Sequence, residues 1–177
     1  MPDGVFAHVH GASFEVGKAL VEHPSAKAVG FTGSFTGGKQ LFDWANQRKE
    51  PIPVFAEMSS INPVFLLPGK MKTSATEIAK MYAGSITLGV GQFCTNPGLI
   101  IGLEGKELDT FMNVLGKEIT KITPASMLHP GIFKNYRNKK DEALKQQGVD
   151  TVSVSETKAE QNQGTPTIAT ATGQTFL

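Results

Sequence analysis

The spacing of apolar residues along the first sixty positions alternates between helical and strand periods. Val16, Ala19 and Leu20 recur at helical intervals, and a short continuous apolar run typical of a buried strand follows them. The predicted elements are a helix over 13–22, a strand over 27–31, a glycine-rich turn over 32–38, a helix over 40–47 and a strand over 51–57. Such a turn before a helix can offer N–H groups to a phosphate, although the glycines taken alone favour an ordinary tight turn.

The rest of the chain continues the alternation. Residues 74–77 have the Ser-x-x-Glu form of a capping box, which predicts a helix that begins at Ser74. Its inward face is expected to carry Ile78, Met81 and Tyr82. The other predicted elements are an apolar run over 62–68, a buried strand over 97–103, a charged surface helix over 132–147, a strand over 151–155, a polar loop over 156–164 and an edge strand over 165–172.

A second helical stripe predicts core positions. It consists of Leu108, Phe111, Met112, Leu115 and Ile119. Their spacing places all five side chains on one face of a helix. Strands that alternate with helices are typical of an α/β fold, so the sequence predicts a parallel, layered α/β/α architecture.

Charge and composition exclude some classes of function. Lys plus Arg number 17 and Asp plus Glu number 16, so the chain lacks the basic surplus of a nucleic-acid-binding protein. No apolar run approaches the roughly 20 residues that span a bilayer, and the first residues lack the pattern of a signal peptide. We therefore expect no nucleic-acid partner, no membrane segment and a cytoplasmic location.

The same reading argues against metal and disulfide chemistry. None of the four histidines pairs with cysteine or carboxylate at metal-ligand spacing, so no metal site is predicted. The histidines are His8, His10, His23 and His129. One cysteine cannot form an internal disulfide, which is consistent with a reducing compartment.

That cysteine, Cys94, lies in the segment Gly91-Gln92-Phe93-Cys94-Thr95, a glycine-rich turn between a predicted helix and an apolar strand. A thiol in such a turn can attack a carbonyl while nearby backbone N–H groups stabilise the oxyanion. Buried cysteine also behaves as a small hydrophobe in protein cores. From this segment alone, the nucleophile and the core thiol remain alternatives.

Two further motifs change the balance. In chain order, the three motifs are Phe31-Thr32-Gly33-Ser34, Glu57-Met58-Ser59-Ser60 and Gly91-Gln92-Phe93-Cys94. Their order and spacing resemble those of the aldehyde dehydrogenase superfamily. The resemblance covers nearly the whole of this chain, but only part of the length of a family member. It implies an aldehyde-dehydrogenase-like α/β fold that is incomplete, with residues 1–60 as the C-terminal part of a Rossmann-like cofactor-binding domain and residues 61–177 as the N-terminal half of the catalytic domain.

The resemblance assigns roles to individual residues. Cys94 matches the nucleophile, which forms a thiohemiacetal and then a thioester, and Glu57 matches the general base. Three residues that match the turn beside the cofactor pyrophosphate are Gly33, Ser34 and Gly38, and Met58 matches a position beside the nicotinamide. The implied cofactor is NAD or NADP. Ser59 departs from the pattern, because the family usually has glycine there.

The implied enzyme is incomplete in this chain. The asparagine of the family's oxyanion hole and a lysine that holds the cofactor ribose would precede Met1, and a Glu-x-Phe-Gly-Pro motif would follow Leu177. Loss of one oxyanion donor costs about 2.7–4 kcal/mol, so we expect weak or no turnover from this chain alone. The family resemblance also implies a homo-oligomeric parent.

The resemblance implies a small-molecule aldehyde substrate that is oxidised to a carboxylic acid, with hydride transfer to the nicotinamide cofactor. Residues 51–58 and 93–98 look most similar to the branch that acts on 2,5-dioxopentanoate (α-ketoglutarate semialdehyde) and on fatty aldehydes. Two alternatives to this hydrolytic aldehyde dehydrogenase stay open. The chain could be a non-catalytic fragment that acts as a binding or interaction module. It could also be part of an acylating dehydrogenase, which passes the acyl group to coenzyme A or phosphate.

Overall fold

The computed structural model describes residues 2–11 and 13–177. The chain divides into two compact units, of which the first ends at Ser60 and the second runs from Ile61 to Leu177. Within the described ranges, none of the helices combines the length and apolar character that crossing a membrane requires.

The first unit has the predicted order of elements. It contains α1 (Phe14–Glu22), β1 (Val29–Gly33), α2 (Phe35–Gln47) and β2 (Val54–Met58). The two strands pair in parallel. The helix predicted to begin at residue 40 begins at Phe35, because the Ser34 hydroxyl accepts a hydrogen bond from Gly37 N at 3.1 Å and caps it. The predicted seven-residue turn is therefore mostly the first turn of a helix.

Arg48 connects several segments of the first unit. Its guanidinium donates to the carbonyl oxygens of Val21, His23, Ala26 and Glu50. These carbonyls lie in the last turn of α1 and just after it, in the turn before β1 and after α2, where backbone carbonyls have no helical partner. One planar cation with five N–H donors thus holds the end of α1 against the end of α2.

Substitution of Arg48 by Met is expected to destabilise the first unit by about 2–3 kcal/mol, since four carbonyls, two of them in part-buried hydrogen bonds, lose a charged donor. The measurement is urea denaturation followed by the fluorescence of Trp44, the single tryptophan, which lies in α2. Lys49→Met, at an exposed neighbouring position, is the control and should change stability by under about 0.5 kcal/mol. Equal effects of the two substitutions would contradict the role given to Arg48.

The second unit contains the remaining elements. They are β3 (Pro63–Leu66), α3 (Pro68–Thr87), a 3-10 turn (Leu88–Gly91), β4 (Leu99–Gly102), α4 (Lys106–Lys121), β5 (Ala125–Ser126), α5 (Pro130–Leu144), β6 (Val149–Val154), β7 (Gln163–Gly164), β8 (Thr167–Ala171) and α6 (Gly173–Phe176). The charged surface helix was predicted correctly, since α5 has no buried residue among those described. The edge strand was also predicted correctly and corresponds to β8.

Two details of α3 differ from the prediction. The helix begins at Pro68 rather than at Ser74, because proline suits the first helical position, where its missing N–H is not needed. Ser74 instead marks a kink, with φ −140° and ψ 15°. Met81, predicted to face inward, is 70% exposed, and the buried face is formed mainly by small residues. Those residues are Ala75, Ala79 and Ala83, with Tyr82 beside them.

The strand pairs are of both orientations. Among the described residues, β3 pairs with β4 in parallel, whereas β5 pairs with β7 and β6 with β8 in antiparallel fashion. The predicted parallel pairing is thus found for β1 with β2 and for β3 with β4, and the last part of the chain adds antiparallel pairs. The link between β6 and β8, residues 155–166, contains β7 but no helix, so the chain reverses instead of crossing over.

The core of the second unit lies between α3 and α4. Phe111, Leu115 and Ile119 of α4 are the largest fully buried side chains, as the helical stripe predicted. The alanines of α3 let α4 approach closely, and the Tyr82 ring meets the Phe111 ring edge-on with centroids 6.0 Å apart. This core supports α3 and β4, the two elements that flank Cys94.

Candidate active site

The backbone that leads to Cys94 is left-handed over three consecutive residues. Gly89, Val90 and Gly91 have φ values of 57°, 58° and 71°. Glycine adopts this region without cost, but a β-branched valine does so very rarely. Val90 is held there by packing, because a Cβ on Gly164 would lie 2.9 Å from its Cγ1 atom. The surrounding structure therefore fixes this turn against its own preference.

Side-chain amides fasten the segment that follows. We refer to residues 88–98 as the Cys94 loop. Gln92 donates from Nε2 to Gly89 O at 3.0 Å, and its Oε1 accepts from Leu128 N at 3.0 Å. Asn96 donates from Nδ2 to Ile86 O at 2.8 Å. The loop is thus bonded to the end of α3 and to the segment before α5.

Cys94 lies in a turn and is exposed, which argues against the alternative of a thiol packed in the core. Its carbonyl oxygen accepts a hydrogen bond from Asn62 Nδ2 at 2.9 Å, and the same nitrogen donates to Asn96 O at 3.1 Å. Asn62 directly precedes β3. The carbonyl of Pro97, just beyond, accepts a hydrogen bond from the Tyr82 hydroxyl of α3.

A cavity of about 320 Å³ lies beside the Cys94 loop. Its lining includes Val90, Gln92 and Asn96 of the loop, together with apolar residues such as Ile119. Tyr136 also lines it and donates to Thr165 O at 2.7 Å. Burial, with a smaller contribution from Asp141, raises the pKa of Tyr136. The hydroxyl therefore stays protonated and keeps donating well above neutral pH.

Glu57 lies in the first unit, near the carboxyl end of β2. It is exposed and stands opposite Thr32 in the parallel pair with β1. Exposure leaves its carboxylate accessible to water and solutes. Glu57 and Cys94 thus belong to different units of the chain.

The four residues proposed to contact a cofactor lie together in the first unit. Ser34 caps α2, and Met58 packs against Gly38, since an added Cβ at Gly38 would lie 2.4 Å from Met58 Sδ. An added Cβ at Gly33 would lie 2.6 Å from the Phe31 ring. Both glycines therefore allow close packing of β1, β2 and the start of α2. That packing leaves the first N–H groups of α2 and the Ser34 side chain at the carboxyl end of β1.

Ser59, the departure from the family pattern, has φ 60°. Its N–H donates to Gly33 O at 3.0 Å, which extends the pairing of β1 with β2 by one bond. The left-handed conformation explains why glycine is the expected residue here. A serine in this position stores backbone strain of about 1–2 kcal/mol.

Ser59→Gly is expected to stabilise the first unit by up to about 1 kcal/mol, because relief of strain exceeds the extra entropy of unfolded glycine. Ser25→Gly is the control. Ser25 lies in a turn of the same unit and is absent from the positive-φ residues, so the change should destabilise by about 0.5–1 kcal/mol. Denaturation followed by Trp44 fluorescence measures the stability of both variants. If Ser59→Gly destabilised the first unit, the backbone strain assigned to Ser59 would be contradicted.

The sequence pattern of the Aldehyde dehydrogenase family matches residues 1–165. The chain belongs to the aldehyde dehydrogenase family. It is 46% identical over 156 residues to alpha-ketoglutaric semialdehyde dehydrogenase 2 of Azospirillum brasilense, which covers 88% of this chain and 30% of the relative. Alpha-ketoglutaric semialdehyde dehydrogenase of Acinetobacter baylyi is 41% identical over 153 residues, 86% of this chain and 29% of the relative. The chain thus spans about 30% of the length of these curated relatives.

Solved structures establish the fold of this aldehyde dehydrogenase chain. A mutant of aldehyde dehydrogenase C from Pseudomonas syringae, in complex with NAD+ and octanal, superposes with a TM-score of 0.76 over 91% of this chain and 35% of its own, at 19% identity. An NAD-dependent benzaldehyde dehydrogenase from Corynebacterium glutamicum gives a TM-score of 0.73 over 90% and 35%, at 20% identity. The predicted aldehyde-dehydrogenase-like α/β fold, present in part, is confirmed.

Two residues of this aldehyde dehydrogenase loop were missed by the sequence analysis. Asn62 bonds to two loop carbonyls, and Val90 adopts a left-handed backbone. Asparagine before proline is common in turns, so Asn62 carried no distinctive signal. The glycines on both sides of Val90 did indicate an unusual turn, although valine itself argues against positive φ.

Proposed function

We propose that this chain carries the nucleophile and the general base of an enzyme that oxidises an aldehyde to a carboxylic acid. The observation that carries the proposal is the exposed Cys94 on a loop whose backbone is bonded on several sides. A thiol in that setting can approach a carbonyl carbon without first ordering its own backbone, which lowers the entropic part of the barrier.

The proposed chemistry divides into two steps. The Cys94 thiolate adds to the aldehyde carbon and gives a thiohemiacetal. A nicotinamide cofactor, when bound, would supply the acceptor for the hydride of this carbon, which would leave a thioester to Cys94. Glu57 then takes a proton from water as the water attacks the thioester, so that the carboxylic acid departs and the thiolate is restored.

The proposed cofactor is NAD or NADP. The fit rests on the first unit, where Ser34 and the N-terminal amides of α2 stand at the end of a parallel strand. The first N–H groups of a helix have no intrahelical acceptor and favour an anion such as a pyrophosphate. Gly33 and Gly38 let the strands and helix pack closely enough to form this end, and Met58 would contribute backbone beside the nicotinamide.

The proposed substrate is α-ketoglutarate semialdehyde or a similar small aldehyde. It is supported by relatives of that name at 46% and 41% identity. An acylating dehydrogenase would use the same cysteine but would need no base for water, so Glu57 favours hydrolysis. A cytoplasmic, homo-oligomeric parent completes the proposal, with no nucleic acid or membrane as partner.

The test uses the single thiol of the chain. Because an aldehyde that adds to Cys94 blocks alkylation, α-ketoglutarate semialdehyde should slow iodoacetamide labelling reversibly, whereas α-ketoglutarate should not. NAD or NADP should change the labelling rate by at least about threefold, the effect of less than 1 kcal/mol. Ser34→Asp, which places a negative charge where the pyrophosphate would bind, should abolish that change. Labelling that ignores both aldehyde and cofactor would overturn the proposal.

We also expect little or no turnover from the isolated chain, because only part of the family's length is present. The measurement is NADH or NADPH formation at 340 nm with α-ketoglutarate semialdehyde. A robust rate with either cofactor would contradict this expectation while supporting the proposed reaction.

A further inference from the structure

We propose that Asn62 is a positioning residue that sets the backbone of the Cys94 loop and thereby the direction in which the thiol is presented. The inference rests on the proposed role of Cys94 as nucleophile. Asn62 lies 32 positions before Cys94 in the sequence, and its side-chain amide donates a hydrogen bond to the backbone carbonyl of Cys94.

The geometry uses the whole donor capacity of one nitrogen. Asn62 Nδ2 donates to Cys94 O at 2.9 Å and to Asn96 O at 3.1 Å. An amide nitrogen has two N–H groups, so these bonds engage both. Asn62 is half-buried, and it directly precedes β3, whose parallel pairing with β4 anchors it to the core. The donor is therefore fixed more firmly than the loop that it holds.

The carbonyls around Cys94 are almost all accounted for. Phe93 O accepts from Asn96 N at 3.0 Å, and Pro97 O accepts from the Tyr82 hydroxyl. Together with the two bonds from Asn62, four carbonyls between residues 93 and 97 are bound within the protein. In a planar trans peptide the N–H points opposite to the C=O. The bond to Cys94 O therefore turns the N–H of Thr95 away from Asn62.

Other side chains hold the flanks of the loop. Gln92 bonds to Gly89 and Leu128, and Asn96 bonds to Ile86. These contacts do not involve Asn62 and remain when it is changed. Loss of the Asn62 amide should consequently release the backbone carbonyls of Cys94 and Asn96, while the side-chain bonds of Gln92 and Asn96 stay in place.

The side chain must be an uncharged double donor. Aspartate has the same shape but presents oxygens to two carbonyl oxygens, so it would repel them. Serine has one hydroxyl donor and a shorter reach, so it can replace at most one of the two bonds. Asn62→Asp is therefore the stringent variant, and Asn62→Ser is the milder one that keeps the experiment possible if aspartate impairs folding.

The experiment measures how selectively Cys94 reacts. The alkylation rate of Cys94 with iodoacetamide is divided by its rate with a bulky N-substituted maleimide. This ratio is then divided by the same ratio measured for glutathione. A thiol held in one direction should differ from glutathione by at least about fivefold, which is the effect of one hydrogen bond of about 1 kcal/mol. Neither cofactor nor aldehyde is needed, so the result does not depend on dehydrogenase activity.

We expect Asn62→Asp to bring the normalised ratio to within about twofold of glutathione, with Asn62→Ser between that value and the wild type. Asn46→Ala is the matched control, since Asn46 Nδ2 donates to Phe42 O at 2.8 Å within α2 of the first unit and makes no bond to the Cys94 loop among those described. It should leave the ratio unchanged. Circular dichroism confirms that each variant is folded at the labelling temperature.

A purely structural role predicts a different result. Asn62→Ser would then lower the melting temperature and leave the selectivity ratio of the folded protein at the wild-type value. That outcome, or a wild-type ratio equal to that of glutathione, would overturn the proposal. Failure of the aldehyde to slow labelling, by contrast, would overturn the proposed function and leave this inference standing.

Discussion

Phe111→Ala is expected to lower the free energy of unfolding of the second unit by about 3–5 kcal/mol. The side chain is 1% exposed and lies at the centre of the contact between α3 and α4. Removal of the ring leaves a cavity and also removes the edge-on contact with Tyr82. The alanines of α3 cannot extend into the space, so the cavity should collapse only partly.

Chemical denaturation followed by far-ultraviolet circular dichroism measures this effect. Phe65→Ala is the matched control, because Phe65 lies in β3 of the same unit but is 63% exposed. It should cost about 1 kcal/mol or less. Similar losses for the two variants would show that the core is not centred on α4.

The sequence predicted the helices of this chain from periodicity, and its errors lay at their ends. The stripe that contains Phe111 and Leu115 was correct because the helix buries a single face. The start of α3 was missed because Pro68 competes with the capping box at Ser74, and both are valid signals. Met81 was placed inward, but the kink at Ser74 and the small alanines set which face of α3 is buried.

Strand direction was less predictable than strand position. The strands over 151–155 and 165–172 were found from alternation, yet nothing in alternation distinguishes parallel from antiparallel pairing. The absence of a helix between them was the usable signal, since parallel neighbours need a long crossover. The general expectation for alternating helices and strands outweighed it.

The site residues were found from motifs, whereas the residues that hold them were not. Cys94, Glu57 and Ser34 belong to short segments with a distinctive residue type in a distinctive setting. Asn62 acts through its position relative to two carbonyls that are distant in sequence, and no local pattern encodes such a contact. At Ser59, by contrast, the sequence did carry a signal, because the family pattern has glycine at this position. The positive φ of Ser59 is the physical reason why glycine is preferred there.

A second large effect is expected at high pH. Burial raises the pKa of Tyr82 to about 12, compared with about 10 for an exposed tyrosine. The unfolded chain therefore loses this proton first as the pH rises, and the folded state binds more protons between pH 10 and 12. The contribution of the Tyr82 hydroxyl to the free energy of unfolding is fully present below pH 10. It is lost between pH 10 and 12, by up to about 2–3 kcal/mol in total.

The structural reason is the position of the Tyr82 hydroxyl. The side chain is 7% exposed and donates to the carbonyl of Pro97, so a phenolate would be desolvated and would face a carbonyl oxygen without a proton. Tyr82→Phe should remove the part of the fall between pH 10 and 12 that comes from Tyr82, at a cost of about 1 kcal/mol at neutral pH from the lost hydrogen bond.

Unfolding free energies at pH 9, 10, 11 and 12 for wild type, Tyr82→Phe and Tyr136→Phe test this expectation. Tyr136→Phe is the comparison, because Tyr136 is the only other tyrosine and its raised pKa contributes a separate fall in stability, which should persist in Tyr82→Phe. Titration of lysines is common to all three proteins and cancels in the comparison. A wild-type curve parallel to that of Tyr82→Phe would mean that the hydroxyl ionises equally in both states. The bond to Pro97, and with it one of the ties that fix the Cys94 loop, would then contribute nothing in the folded protein.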